Sequence, residues 1–206
     1  MKINRIPAGV YAANCYLVFS EETRKAIIVD PGGDGDILIN KIEEKGLTLE
    51  YIVLTHGHGD HIGAVNDLRK EFNVPLLIHE DDVELIEDGR KNLSSIMAMG
   101  SVNIRADKTL KDGDIILFGD LSAKVIHTPG HTKGGICILI NDHLISGDTL
   151  FKGSIGRTDL LGGDFDLLVD SIKKKLFNLP DNTVVLPGHG DRTTIGDEKE
   201  TNPFLR

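Results

Sequence analysis

The sequence predicts an α+β fold: two β-sheets packed together with helices outside, in a single domain spanning residues 1–206. Three observations predict it. At 206 residues and 40% apolar side chains, the chain is long enough for one substantial core. Its apolar runs are short, open in hairpin-like groups and then alternate with helix-period patterns, and this order occurs twice. No linker, low-complexity stretch or sequence repeat separates the halves.

The elements follow in order. Residues 2–6, 15–19 and 26–29 read as strands, the last stopped by Asp30-Pro31-Gly32-Gly33. Ile37, Leu38, Ile42 and Leu47 fit a helix from about Asp34 to Gly46. Residues 51–54 form a buried strand, and Ile62, Val65, Leu68 and Phe72 place a helix over 61–72. A strand at 74–78 and a short acidic helix at 81–87 come next. Residues 88–105 have no period and contain Met97 and Met99 with little else apolar. They read as a long loop or short helical insert, either a surface excursion or one wall of a substrate cleft. The second half reads as strands at 114–118, 123–127, 136–140 and 143–145, with Asn141-Asp142 as a hairpin turn. A helical stripe covers 165–176, and 183–186 is the last strand.

Composition removes several function classes. A net charge of -9 opposes general nucleic-acid binding, which needs a basic face. No run approaches the ~18–20 apolar residues of a membrane helix. Residues 1–9 lack a signal-peptide pattern, so the expected location is cytoplasmic. Cys15 and Cys137 make no disulfide framework and read as buried small hydrophobes.

The chemistry lies in the histidines. Three of the eight fall in Thr55-His56-Gly57-His58-Gly59-Asp60-His61, directly after a buried strand and before a helix. The interleaved glycines are expected to turn the backbone so that neighbouring side chains converge. Imidazole and carboxylate donors suit zinc, iron or manganese. The same local grammar recurs at Gly130-His131, Gly147-Asp148 and Gly188-His189, each at a strand terminus. If those termini share one edge, the four segments converge. The remaining histidines take blander readings: His79 exposed or paired with the acids after it, His143 exposed, and His127 a strand residue or a support for His131. Arg157 either grips a substrate carboxylate or pairs with Asp159 or Asp164.

This order of motifs resembles the metallo-β-lactamase superfamily over essentially the whole chain. The resemblance implies an αββα sandwich of two mixed β-sheets, with helices on both outer faces and the site at one edge. By position it implies that His56, His58 and His131 bind one divalent ion and that Asp60, His61 and His189 bind a second. Asp148 would bridge them. Asn14-Cys15-Tyr16-Leu17-Val18, Gly147-Asp148-Thr149-Leu150-Phe151 and Asn202-Pro203-Phe204-Leu205-Arg206 look like the glyoxalase II group and its short bacterial relatives. Glyoxalase II enzymes continue beyond the position of Arg206 into a helical domain that helps hold glutathione, and the Lys and Tyr that grip glutathione are not evident in Gly156-Arg157-Thr158-Asp159.

The expected activity is therefore metal-dependent hydrolysis of a small-molecule thioester such as a hydroxyacylglutathione, through a metal-bridging hydroxide. Asp60 and Asp148 would be the catalytic carboxylates. The expected cofactors are two divalent ions, zinc first, with iron or manganese as alternatives. The first rival is a persulfide dioxygenase, which would hold a single iron at His56, His131 and Asp148. That family shares the Gly-Arg-Thr-Asp run but usually carries Cys where this chain has Ile155. The second rival is a binding module with a vestigial site, against which the complete set of candidate ligands weighs.

Overall fold

The computed structural model describes residues 1–98 and 100–206, so Met99 of the long loop lies outside the described residues. The first sheet has six strands in chain order: β1 (Lys2–Ala8), β2 (Ala13–Phe19), β3 (Lys25–Val29), β4 (Thr48–Val53), β5 (Leu76–His79) and β6 (Lys108–Leu110). β1 to β3 are antiparallel, and β3 to β6 run parallel. The parallel strands need crossovers, which helices supply. These are α1 (Gly35–Glu44), α2 (Gly59–Ile62) with α3 (Val65–Phe72), and α4 (Val83–Ile86).

In the second half come β7 (Ile115–Phe118), β8 (Leu121–His127), β9 (Ile136–Ile140), β10 (His143–Gly147), the small hairpin β11 (Leu150–Phe151) and β12 (Ser154–Ile155), and α5 (Phe165–Ser171). β13 (Val184–Pro187), β14 (Thr193–Thr194) and α6 (Ile195–Thr201) complete the chain. The second sheet is ordered β14-β13-β10-β9-β8-β7 and is also mixed, because only β10 and β13 run parallel.

Side-chain alternation makes the layers. All seven residues of β2 are buried, because the strand is covered on both faces. Tyr16 and Val18 join Ile27, Val29, Phe118, Val125 and Ile138 between the sheets. Cys15, Leu17 and Phe19 face the other way, against Leu38 and Ile42 of α1 and Leu68 of α3. On the opposite side, Cys137 and Leu144 pack on Leu168 of α5 and Ile195 of α6. Three apolar interfaces therefore separate four layers, the αββα sandwich. Among the described residues, no helix is long and apolar enough to cross a membrane.

Several elements differ from the sequence reading. The helix expected over 61–72 is broken at Gly63-Ala64 into α2 and α3. The stripe over 165–176 is α5 followed by a π-type turn, Ile172–Leu176. β6, β14 and the β11–β12 hairpin had no sequence signal, being three residues long or fewer. Residues 88–105 form turns with one 3₁₀ segment, Ser94–Ile96.

Candidate metal centre

The site is built at strand ends. β3 runs into Asp30, β4 into Thr55 and His56, β8 into the loop bearing His131, β10 into Asp148 and β13 into His189. The side chains beside Gly57 and Gly59 converge as the sequence suggested, although neither glycine has positive φ. Both glycines also lie in close approach to neighbouring residues. A Cβ on Gly57 would lie 2.9 Å from Ile86 Cγ2, and one on Gly59 would lie 2.8 Å from Met97 Sδ. At Gly188 a Cβ would run into Asp148 Oδ1 and His61 Cε1, so only glycine leaves room before His189.

All seven residues singled out as ligands come together. His56, His58 and His131 form one group of converging donors, and Asp60, His61 and His189 another. Within the first, His58 Nδ1 lies 3.0 Å from His131 Nε2, and within the second His61 Nε2 lies 3.3 Å from His189 Nε2. Tetrahedral zinc with N ligands at 2.0–2.1 Å sets neighbouring nitrogens ~3.3 Å apart. The Asp148 carboxylate lies between the groups: Oδ1 is 3.5 Å from His61 Nε2, while Oδ2 is 3.7 Å from His131 Nε2 and 3.8 Å from His189 Nε2. His56 Nε2 and Asp148 Oδ1 are buried without a hydrogen-bond partner. A buried orphan acceptor is costly, and a cation would satisfy both atoms. The residues therefore fit divalent metal.

The supports fix tautomers and orientation. His131 Nδ1 donates to Arg157 O at 2.7 Å, which leaves Nε2 as a lone pair aimed into the site. Asp30 accepts from Thr55 N at 2.7 Å and Thr55 Oγ1 at 2.5 Å, and its Oδ2 lies 3.2 Å from His61 Nδ1. Sequence reasoning missed Asp30, taking it as part of a strand stop. Its one signal was a carboxylate ending a strand beside the histidine-bearing one.

The two halves differ electrostatically. Burial, and the charges that His61, His131 and His58 would carry, hold His56 well below the usual imidazole range. Burial, then His131 and His61, bring His58 down to about 3. In the other half burial opposes ionisation, yet Asp148, the Asp30 hydrogen bond and Asp60 raise His61 to about 10. Asp60 is likewise opposed by burial, but its bond to His189 and the charge on His61 hold it far below the ordinary carboxylate range.

A cavity of about 540 Å³ opens onto these ligands, walled by Tyr11, Leu93, Met97, Phe151, Ile155 and Leu160, with Arg157 at its edge. Leu93 and Met97 make part of the 88–105 loop a cleft wall. Arg157 is held by Asp159 through two 2.8 Å bonds and is largely exposed.

The other histidines lie elsewhere. His143 is half-buried and bonds Asp142 at 2.7 Å. His127 is a β8 residue whose Nε2 donates to Lys133 O. His79 is not exposed: it is 3% accessible, with Asp81 at 3.7 Å and the His127 ring stacked on it at 3.9 Å and 12°. Its burial was not readable because β5 and β8 belong to different sheets.

A two-sheet sandwich with histidines and aspartates gathered from strand ends at one edge defines a metal-dependent, hydrolase-type scaffold. The family model for the metallo-β-lactamase superfamily matches residues 8–189, and the chain belongs to that superfamily. It is 40% identical over 208 residues to the probable metallo-hydrolase YqgX of Bacillus subtilis, covering 100% of this chain and 98% of that one. It is 38% identical over 216 residues to the hydroxyacylglutathione hydrolase GloC of Haemophilus influenzae, again covering 100% and 98%. Among solved structures, the BLEG-1 B3 metallo-β-lactamase superposes with a TM-score of 0.94 at 40% identity, covering 99% of each chain. A di-iron-bound form of TTHA1623 gives 0.87 at 36% identity, covering 98% of this chain and 100% of that one. ETHE1 from Myxococcus xanthus gives 0.82 at 31% identity, covering 98% and 84%.

Proposed function

We propose that residues 1–206 act as a single-domain thioester hydrolase, with a hydroxyacylglutathione as the reference substrate. The observation that carries the reading is the Asp148 carboxylate lying between two complete groups of donors. In this reading His56, His58 and His131 would hold one divalent ion and Asp60, His61 and His189 a second, with Asp148 available to either. Zinc is the first expectation, with iron or manganese as alternatives; the di-iron form of TTHA1623 supports a pair of ions in this scaffold.

Such ions supply Lewis acidity, which polarises an acyl carbonyl and yields a water nucleophile near neutral pH. The chain's own residues do the rest. Asp60 and Asp148 would orient the attacking water and accept its hydrogen bond. The apolar side chains Leu93, Met97, Phe151 and Leu160 line the cavity that would receive the acyl group. Arg157 exchanges Asp159 for an anionic part of the substrate. A thiol leaves as thiolate with an ordinary pKa of ~8.5, so no strong general acid is needed.

Gly156-Arg157-Thr158-Asp159 favours a second reading, the single-iron persulfide dioxygenase, with His56, His131 and Asp148 as ligands. One assay separates the two. Zinc- or manganese-loaded protein should release thiol from S-lactoylglutathione without oxygen. Oxygen uptake by iron-loaded protein with glutathione persulfide, with no anaerobic thioester cleavage by any metal form, would install the dioxygenase instead. A β-lactam belongs in the same substrate series, given the likeness to BLEG-1.

A further inference from the structure

Asp82 is an acid outside the ligand set and almost wholly buried, at 1% exposure. It ends the 3₁₀ turn Glu80–Asp82 and leads into α4. Its carboxylate takes three hydrogen bonds. Oδ2 accepts from Gly57 N at 3.0 Å and from Thr132 Oγ1 at 2.8 Å, while Oδ1 accepts from Gly134 N at 2.7 Å. Gly57 stands between His56 and His58, and Thr132 follows His131. One carboxylate thus joins the two loops that carry the three imidazoles of one half of the site.

Packing makes the same connection independently. A Cβ on Gly57 would meet Ile86 at 2.9 Å and Leu85 at 3.1 Å. One on Gly134 would meet Asp82 N at 2.6 Å and Asp82 Cβ at 2.8 Å. Both loops therefore press on the same turn, residues 82–86, as closely as bare backbone allows. Ile136 N also bonds Thr55 O at 2.8 Å, a second link between the two segments at the residue before His56, whereas Asp82 reaches between His56 and His58 and next to His131.

We propose that Asp82 is the positioning residue of the His56–His58–His131 half: its carboxylate clasps the two loops and sets the spacing of their imidazoles. The inference rests on reading these three as the ligands of one ion. Asp30, by contrast, supports the other half by reaching a ligand, His61, directly. Asp82 acts only through backbone N–H groups and a hydroxyl, so its effect is on geometry. Its substitution by Asn is discriminating. The amide keeps the size, but one of the two oxygens becomes an NH₂ group facing an N–H donor.

The test is metal binding to the chelator-stripped full chain, titrated with zinc and then with cobalt for its visible spectrum. The step lost in His58→Ala marks the first half, and the step lost in His189→Ala marks the second. Asp82→Asn should weaken the first-half step at least tenfold, the usual scale for losing a support behind a ligand. It should also alter that ion's cobalt spectrum, while the second-half step stays within about threefold. Thr132→Val removes one of the three bonds, is milder to the fold, and should weaken the same step several-fold. Equal weakening of both steps in folded Asp82→Asn, or none, overturns the clasp. If Asp82→Asn does not fold, an unchanged first-half step in Thr132→Val overturns it. A wild type binding one ion through His56, His58 and His131 would end the two-ion reading, and the clasp would still be judged on that ion. A wild type binding no ion there overturns both.

Discussion

Two regions of this protein bring imidazoles into contact, and only one of them suits a metal. In the strand-end cluster the rings of His56, His58 and His131 meet at 76° to 83°, and His61 meets His189 at 87°. Planes that cross can aim lone pairs at a common point. His79 and His127 instead lie face to face, 12° apart in orientation. A ring nitrogen binds in its own plane, so two stacked rings cannot both reach an ion ~2.0–2.1 Å away. One nitrogen of each ring is also engaged: His127 Nε2 with Lys133 O, and His79 Nδ1 with Asp81 N. Asp81 adds a third donor beside them, so the set matches the strand-end groups in donor count but not in ring direction. Donor count and proximity do not define a metal centre; ring-plane direction does.

Ligand removal breaks the comparison most sharply. His58→Ala should lose metal and lower thioester turnover at least a thousandfold, ~4 kcal/mol of barrier. His79→Ala should retain both metal content and turnover. It removes a buried, stacked ring and should cost ~1–3 kcal/mol of stability, read as a fall in Tm. His143→Ala should change neither metal nor rate. Metal loss in His79→Ala equal to that in His58→Ala would erase the distinction.

Asp148→Asn comes next. It keeps the shape between the two donor groups and removes the charge that offsets repulsion between two cations. Turnover should fall about a hundredfold, ~3 kcal/mol, with at least one ion bound more weakly. Unchanged metal content and rate would remove Asp148 from its place between the halves.

What the sequence made legible follows from these geometries. The candidate ligands were readable because six of the seven sit beside a glycine near a strand end, and His61 follows Asp60 in the same motif, a local pattern. The sandwich was readable because strands such as β2 and β9 are continuous apolar runs. Asp30 and Asp82 were read as a strand stop and as one acid of a short helix. Their roles appear only in contacts 25 to 52 residues away in sequence. The short strands escaped for a different reason: β6, Lys108-Thr109-Leu110, is defined by pairing with β5 and not by its own composition. The break between α2 and α3 escaped because Ile62 and Val65 keep helical spacing across Gly63-Ala64.

Arg157 gives a smaller effect. The guanidinium stands at the cavity edge and its Asp159 pair is exposed, so exchanging that partner for a substrate anion costs little. Arg157→Ala should raise KM several-fold for an anionic thioester while kcat changes less, the signature of lost uniform binding. An uncharged thioester should show no such rise. A fall in kcat with KM constant would move Arg157 from binding to chemistry.

The smallest effect concerns pH and the stacked pair. Burial, and then the charge on the His127 ring stacked against it, lower the His79 pKa below its usual 6.5, while Asp81, Glu80 and Asp112 pull the other way without prevailing. A histidine whose folded pKa is depressed is more easily protonated in the unfolded chain. Its neutral form therefore contributes stability in full above the unfolded value, and that contribution is lost as pH falls below about 6.5. Metal-loaded wild type and metal-loaded His79→Gln should then differ in the slope of Tm against pH. Between pH 8 and 7 the two curves should run parallel. Between pH 6.5 and 5 the wild type should fall more steeply, because only it carries the titrating ring. The metal ligands contribute equally to both proteins and cancel in the difference. Asp81→Asn removes one opposing charge and should steepen the wild-type fall further. Parallel curves down to pH 5 would mean that His79 takes up its proton as readily folded as unfolded, and that stacking on His127 does not keep the ring neutral.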